Sequence, residues 1–372
     1  MMSGDFGEFH DELRTVAREL LGKAGDAAVE WKALAGAGWT GLEVAAEFDG
    51  AAATFTETAI LLEEIGRAAA RTPYPAVATT GIGALCLLEP NTRRDVVLRE
   101  TVAGTARPVA VLAGNTVPAA GGETACAGTG GIVPTFELDQ TGKATLLSGS
   151  AEFVLDAPSA TVLLIPARAA DGTLGVALAD AGSAGLEITG QPVVDETRIF
   201  GKVTSWDMAL APESFVPFAP GVADPLRQLY DRAVLAAACD SLGLAAAMLD
   251  ATVGYTRVRE QFGRPIGSFQ AVKHACADML VELTIARQLV AAAVTATAAG
   301  TPDSGRSVSM AKSFTGEAAV RIAGGAVQLH GGIGYTWESG LHRYLKRATL
   351  DRALYGSPAD HRHALARSYA NH

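Results

Sequence analysis

A chain of 372 residues, 49% of them apolar and 19% charged, has the composition of a folded protein with more than one packed unit, not of a disordered or fibrous one. The formal net charge is −10 and no run of Lys or Arg occurs, which argues against nucleic acid and membrane as partners. The opening stretch carries Asp5, Glu8, Asp11 and Glu12 in place of a basic start and apolar run, and Cys86, Cys126, Cys239 and Cys276 form no C-x-x-C pair. A cytoplasmic protein with free thiols and no metal site is therefore expected.

Residues 1–105 carry a helical period. Phe6, Phe9, Leu13, Val16 and Leu20 share one face, and Glu57–Ala69 is a second helical stretch that stops before Pro73 and Pro75. Residues 106–215 change character. Short β-like runs cover Pro108–Leu112, Ala144–Leu147, Phe153–Leu155, Thr161–Ile165 and Gly175–Leu178, separated by turn signals at 128–131, 139–142 and 171–172. Such spacing predicts a small barrel or sandwich. Residues 216–372 return to the helical period, with Met279, Leu283, Ala286 and Val290 on one face and a turn at 300–305 between two long helices. The apolar run Ala233–Met248 is interrupted by Asp240, so a buried helix is expected there and not a membrane span. The order α, β, α excludes a doubly wound dinucleotide fold.

Two stretches carry chemistry. Arg259, Gln261, Phe262, Phe269 and Gln270 lie within Tyr255–His274; Gln328, Gly331 and Gly332 lie within Gln328–Thr336. Arg259 offers a forked cation suited to a pyrophosphate. The three glutamines suit a ribose or a base edge, the two phenylalanines a flat ring, and Gly331 and Gly332 allow close backbone approach. Taken singly, each has a bland reading as a surface or loop residue. His274 and His330 are read as structural, having no ligand set nearby.

Together, Tyr255–Met279, Gln328–Thr336 and Leu61–Arg67 resemble motifs of the acyl-CoA dehydrogenase family. The resemblance implies an α+β, mostly α fold: an N-terminal helical domain, a middle β-barrel domain and a C-terminal four-helix bundle. It also implies FAD as cofactor, with Arg259, Gln261, Phe262, Phe269, Gln270, Gln328, Gly331 and Gly332 touching the ADP half of a neighbouring subunit's FAD. The reaction it implies is α,β-dehydrogenation of an acyl-CoA, with electron-transfer flavoprotein as acceptor.

The chain departs from the family where the base is needed. Removing a thioester α-proton requires a positioned carboxylate. Gly356, in Tyr355-Gly-Ser-Pro358, stands at one family position for that Glu, and Ala233 stands at the other. Asp231 lies two residues from Ala233, about 200° round a helix, and is not assigned as base. No catalytic residue is therefore expected. Flavin-ring motifs are also altered, at Gly114–Gly121, Glu152–Leu155 and Pro358. This pattern resembles the subunit lacking the catalytic Glu in actinobacterial heteromeric acyl-CoA dehydrogenases of the steroid side-chain type, associated with cholesterol catabolism. It implies a related partner subunit in an α2β2 heterotetramer. The sequence leaves two alternatives open: a self-sufficient homomer with its base elsewhere, and a non-enzymatic scaffold.

Overall fold

The computed structural model describes residues 3–114, 134–140 and 144–370. Residues 115–121 of the altered ring motif, Cys126, and the turns at 128–131 and 141–142 lie outside them.

The first helical region runs through α1 (Ser3–Ala24), α2 (Trp31–Gly36), α3 (Phe55–Arg67), α4 (Ile82–Leu87) and α5 (Thr92–Val102). The start of α3 is fixed two residues earlier than the apolar period predicts, because Thr54 and Glu57 form a capping box. The Thr54 N–H donates to Glu57 Oε2 at 2.9 Å, and the Thr56 N–H donates to Thr54 Oγ1 at 3.1 Å. α1 lies on α3 and is held by charge: Arg18 donates to both oxygens of Glu64, at 2.8 and 2.7 Å.

The middle region is one eight-stranded mixed sheet. Its strands are β1 (Pro108–Ala110), β2 (Phe136–Asp139), β3 (Thr145–Leu155), β4 (Val162–Arg168), β5 (Leu174–Asp180), β6 (Leu186–Gln191), β7 (Phe200–Leu210) and β8 (Phe215–Pro217). The path is β6-β7-β3-β2-β4-β5-β8, and β1 shares with β2 the edge of β4 opposite β5. The runs expected at 144–147 and 153–155 are a single strand, β3. Two irregularities against β7, at Leu147/Gly149 and Ala151/Val154, break the two-residue alternation that would have shown its continuity. The strands β6 and β7 were not expected, since Gly190, Gly201, Lys202 and Asp207 interrupt any apolar alternation.

The last region holds α6 (Pro225–Val258), α7 (Gln270–Ala298), α8 (Ser304–His330), α9 (Leu341–Ala353) and α10 (Pro358–Ala370). As expected, α6 is a core helix, with 89% of its most apolar window buried. In α7, Met279, Leu283, Ala286 and Val290 are buried, but the matching window is only 33% buried, and Leu280, Val281 and Ile285 face outward.

The crossing of α3 and α6 explains two glycines, one of them in the Leu61–Arg67 motif. A Cβ on Gly243 would sit 1.9 Å from the Glu63 carbonyl oxygen, and one on Gly66 would sit 2.1 Å from the Asp240 carbonyl oxygen. The two backbones touch, which only glycine permits. This contact sets Asp240 at the junction of the three regions.

Candidate functional site

The end of α6 leads into a small hairpin. Glu260–Gln261 (β9) pairs antiparallel with Arg264–Pro265 (β10). The two turn residues, Phe262 and Gly263, both have positive φ, at 53° and 74°. That matches the twist of a two-residue hairpin turn, but a bulky residue at positive φ is strained, and such strain often marks function. Phe262 is also 92% exposed. Its ring meets Phe269 edge-on with centroids 6.1 Å apart, and the Arg264 guanidinium lies 4.2 Å over the Phe269 ring. Gln270 then opens α7.

Gln328 lies in the last turn of α8, and Gly331 ends that helix at φ 63° and ψ −140°, a conformation open only to glycine. The following loop folds back on the helix: a Cβ on Gly334 would meet the Val327 carbonyl oxygen at 2.5 Å. Gly331 and Gly332 have open space where a Cβ would be. Among the described residues, nothing demands a small residue at 332, whereas a ligand lying on the backbone would.

Arg259, Gln261, Gln270 and Gln328 are exposed, and none of their side chains has a hydrogen-bond or ion-pair partner among the described residues. The two stretches are joined by Tyr255 at the end of α6 and His330 at the end of α8, whose rings stack with centroids 4.3 Å apart. These outward, unpaired donors beside an open glycine backbone fit the pyrophosphate and sugar of a dinucleotide held from outside the chain.

The described residues of the stretches expected near a flavin ring behave differently, because they bond to one another. The Tyr355 N–H donates to the Gly114 carbonyl at 2.8 Å, and the Gly114 N–H donates to the Phe153 carbonyl at 3.1 Å. A Cβ on Gly114 would already be 2.6 Å from that Phe153 oxygen and 2.7 Å from Leu354 Cδ1. The remaining cavity is about 20 Å³ and is lined by Leu155, Ala233, Ala237, Asp240 and Tyr355 among others. That holds one water; ligand pockets run to several hundred Å³. Of the two candidate base positions, Ala233 lines the cavity and Gly356 follows Tyr355, which lines it; Gly356 has φ 100°, with His361 Nε2 only 3.1 Å from where its Cβ would be. Ser357 and Asp360 form a capping box that starts α10 with Pro358 in its first turn, so this segment serves as a helix start. Asp231 turns away to Arg227, which donates from Nε at 2.8 Å.

Sequence reasoning missed a buried ionic cluster beneath this cavity. Asp240 accepts from Arg347 and Arg198, and Arg347 also donates to the Ala70 carbonyl at 2.8 Å and the Thr197 hydroxyl at 3.3 Å. Burial alone would raise the Asp240 pKa, but Arg347 and Arg198 outweigh it and hold the carboxylate below its ordinary value. Asp351 is pushed well up, first by burial and then by Asp240. Asp156 is raised by burial to about 7, against the pull of Arg198 and Arg347. The one signal available was Asp240 itself, a single charge within an apolar run.

An N-terminal helical region, a mixed sheet and a long-helix C-terminal region, with a dinucleotide-suited edge at the ends of α6 and α8, define an acyl-CoA dehydrogenase fold. The comparisons agree. Residues 8–92 match the acyl-CoA dehydrogenase N-terminal domain and residues 227–370 the C-terminal domain. The acyl-CoA dehydrogenase IpdE2 of Mycolicibacterium smegmatis is 30% identical over 323 residues, covering 87% of this chain and 82% of that protein. Among solved structures, a variant of the Tcur3481-Tcur3483 steroid ACAD matches with a TM-score of 0.82 at 26% identity, covering 98% of each chain. The ChsE4-ChsE5 complex from Mycobacterium tuberculosis has the same fold, with a TM-score of 0.82 at 22% identity over 98% of this chain and 97% of that one. The chain belongs to the acyl-CoA dehydrogenase family, and its cofactor is FAD.

Proposed function

We propose that this chain is one subunit of a heteromeric, FAD-dependent acyl-CoA dehydrogenase acting on a steroid-type acyl-CoA. In this reading it lends ADP-half contacts to FAD bound in a related partner, and the partner supplies the catalytic base. One contrast carries the proposal: the described ring-side residues Gly114, Phe153 and Tyr355 bond to one another beside a cavity of about 20 Å³, while Arg259, Gln261, Gln270 and Gln328 stand exposed without internal partners among the described residues. A homomer would need both sets of contacts from one sequence.

Arg259 would meet the pyrophosphate, Gln261, Gln270 and Gln328 the sugar or base edge, and Phe262 and Phe269 the flat ring, with Gly331 and Gly332 giving backbone access. FAD, when bound, supplies the hydride acceptor for the β-carbon. This chain's part is binding and orientation. Neither Gly356 nor Ala233 can take the α-proton.

The outward apolar face of α7, with Leu280, Val281 and Ile285, supports a partner chain, since an exposed apolar helix face is otherwise a liability. The substrate class rests on the relatives: one solved neighbour is described as a steroid ACAD, and another is a two-chain complex. Electron-transfer flavoprotein is the proposed acceptor, and an α2β2 heterotetramer the proposed assembly.

The test is to purify the chain alone and, separately, the complex it forms in its native host. The chain alone should be colourless, and the complex yellow and reducible by acyl-CoA. A yellow, acyl-CoA-reducible homomer would overturn the proposal. Arg259→Ala in the complex should weaken FAD by about 1.5–3 kcal/mol, the range for a charge-assisted hydrogen bond. Undiminished FAD occupancy would leave the chain a scaffold.

A further inference from the structure

The two halves of the dinucleotide edge come from helices far apart in sequence. Arg259 caps α6, and Gln328 sits in the last turn of α8. Something must fix their separation if both are to meet one ligand, because a displacement near 1 Å is enough to lose a charge-assisted hydrogen bond. Tyr255 and His330 occupy that position. Their rings are 4.3 Å apart and 21° from parallel, and the Tyr255 hydroxyl donates to the His330 carbonyl at 3.4 Å. His330 is itself held, since its Nδ1 lies 2.7 Å from the Ala326 carbonyl and donates to it. That bond fixes the ring plane against α8 and leaves its face to Tyr255.

Each partner lies within about one turn of a binding residue. Tyr255 precedes Arg259 by four residues on α6, and the Arg259 N–H donates to the Tyr255 carbonyl at 2.9 Å. His330 follows Gln328 by two and directly precedes Gly331. The loop beyond it is closed onto α8 by Gly334, so the turn behaves as part of the helix end. The hairpin on the other side is fixed likewise: the Ile266 N–H donates to the Arg259 carbonyl at 2.8 Å. The stacked pair is then the contact at the tips of two helices that also pack on each other along their lengths, and it lies nearest to the binding residues.

We infer that Tyr255 and His330 are positioning residues for FAD, setting the distance between the Arg259 and Gln328 contacts without touching the cofactor. The inference rests on the reading that those two residues hold FAD. It also gives His330, which has no ligand set, a defined role.

The complex from the native host, carrying variants of this chain, would be stripped of FAD and titrated with FAD again. Tyr255→Ala should raise the Kd about fivefold, the worth of one aromatic stack. Tyr255→Phe keeps the flat face and loses only the long hydroxyl bond, so it should stay within about twofold. In an Arg259→Ala background, Tyr255→Ala should add little, since the contact it positions is gone. Where Tyr255→Ala fails to assemble, Tyr255→Leu keeps the bulk without the flat face and should show the same loss. Wild-type FAD affinity in Tyr255→Ala or Tyr255→Leu, with Arg259→Ala still impaired, overturns the inference and leaves the cofactor reading standing. So does a full additive loss in the double variant. Undiminished FAD binding in Arg259→Ala removes the cofactor reading, and the inference with it.

Discussion

Arg347 grips Asp240 at two points, Nε to Oδ2 at 2.8 Å and Nη2 to Oδ1 at 2.5 Å, with both side chains buried. Arg198 adds a third bond at 2.9 Å. One carboxylate on α6 thereby ties α9 to the segment entering β7, and the Arg347 bond to Ala70 brings in the chain beyond α3. A buried pair of this kind is weak evidence for stability, because desolvation offsets most of its attraction. Removing Arg347 is different, since Asp240 would lose two hydrogen bonds and keep only Arg198 as its ionic partner. Arg347→Met should lower the unfolding free energy by about 1.5–3 kcal/mol in urea titrations of the complex, the range for hydrogen bonds to a charged group. A loss below about 1 kcal/mol would mean that the cluster relaxes or admits water.

Asp156 should give the protein an unusual pH response. Its folded pKa is raised to about 7, against roughly 3.9 in an unfolded chain. Between those values the folded state holds the extra proton, so stability from this group is present at low pH and is lost as pH rises towards 7. Asp156→Asn removes the titration, and Asn tolerates the φ of 58° found there. The variant should match wild type near pH 4 and exceed it at pH 8, by about 4 kcal/mol for a shift of about three units. Melting curves of both proteins from pH 4 to 8 would check this; parallel curves would show that Asp156 keeps an ordinary pKa.

The helix crossing at Gly243 gives a sharper test of packing. A methyl there would overlap the Glu63 carbonyl, and its backbone neighbours cannot swing aside as a flexible side chain could. Gly243→Ala should therefore cost about 3 kcal/mol or more, although alanine is the better helix former. It should also disturb the ionic cluster, since Asp240 lies one turn away. Unchanged thermal stability would mean that the helices separate without penalty.

The α, β, α order and the family were legible because both rest on local signals: a helical period, turn residues, and one dense motif. Arg259 and Gln270 lie eleven residues apart and are read together. What was not legible depends on distant partners. Asp240 looked like an interruption, since its partners Arg198 and Arg347 are 42 and 107 residues away. The continuity of β3 was hidden by its irregularities. Gly243 carries no signal of its own in the sequence; the position of α3 shows why it must be glycine.

Gly356 poses the last test, because a carboxylate, which the proposed function says is lacking there, looks simple to install. It is not. At φ 100° a side chain is strained by about 1–3 kcal/mol, and its Cβ would press on buried His361, whose Nε2 lies 3.1 Å from the Tyr355 carbonyl. The Tyr355 N–H is already committed to Gly114, and the adjoining cavity has room for one water but not for a thioester. Gly356→Glu in the complex should lower thermal stability and leave the rate of flavin reduction by acyl-CoA at the wild-type value. A second, faster phase of flavin bleaching would show that the ring-side stretches open in solution. It would also mean that a carboxylate alone separates this chain from a full active site.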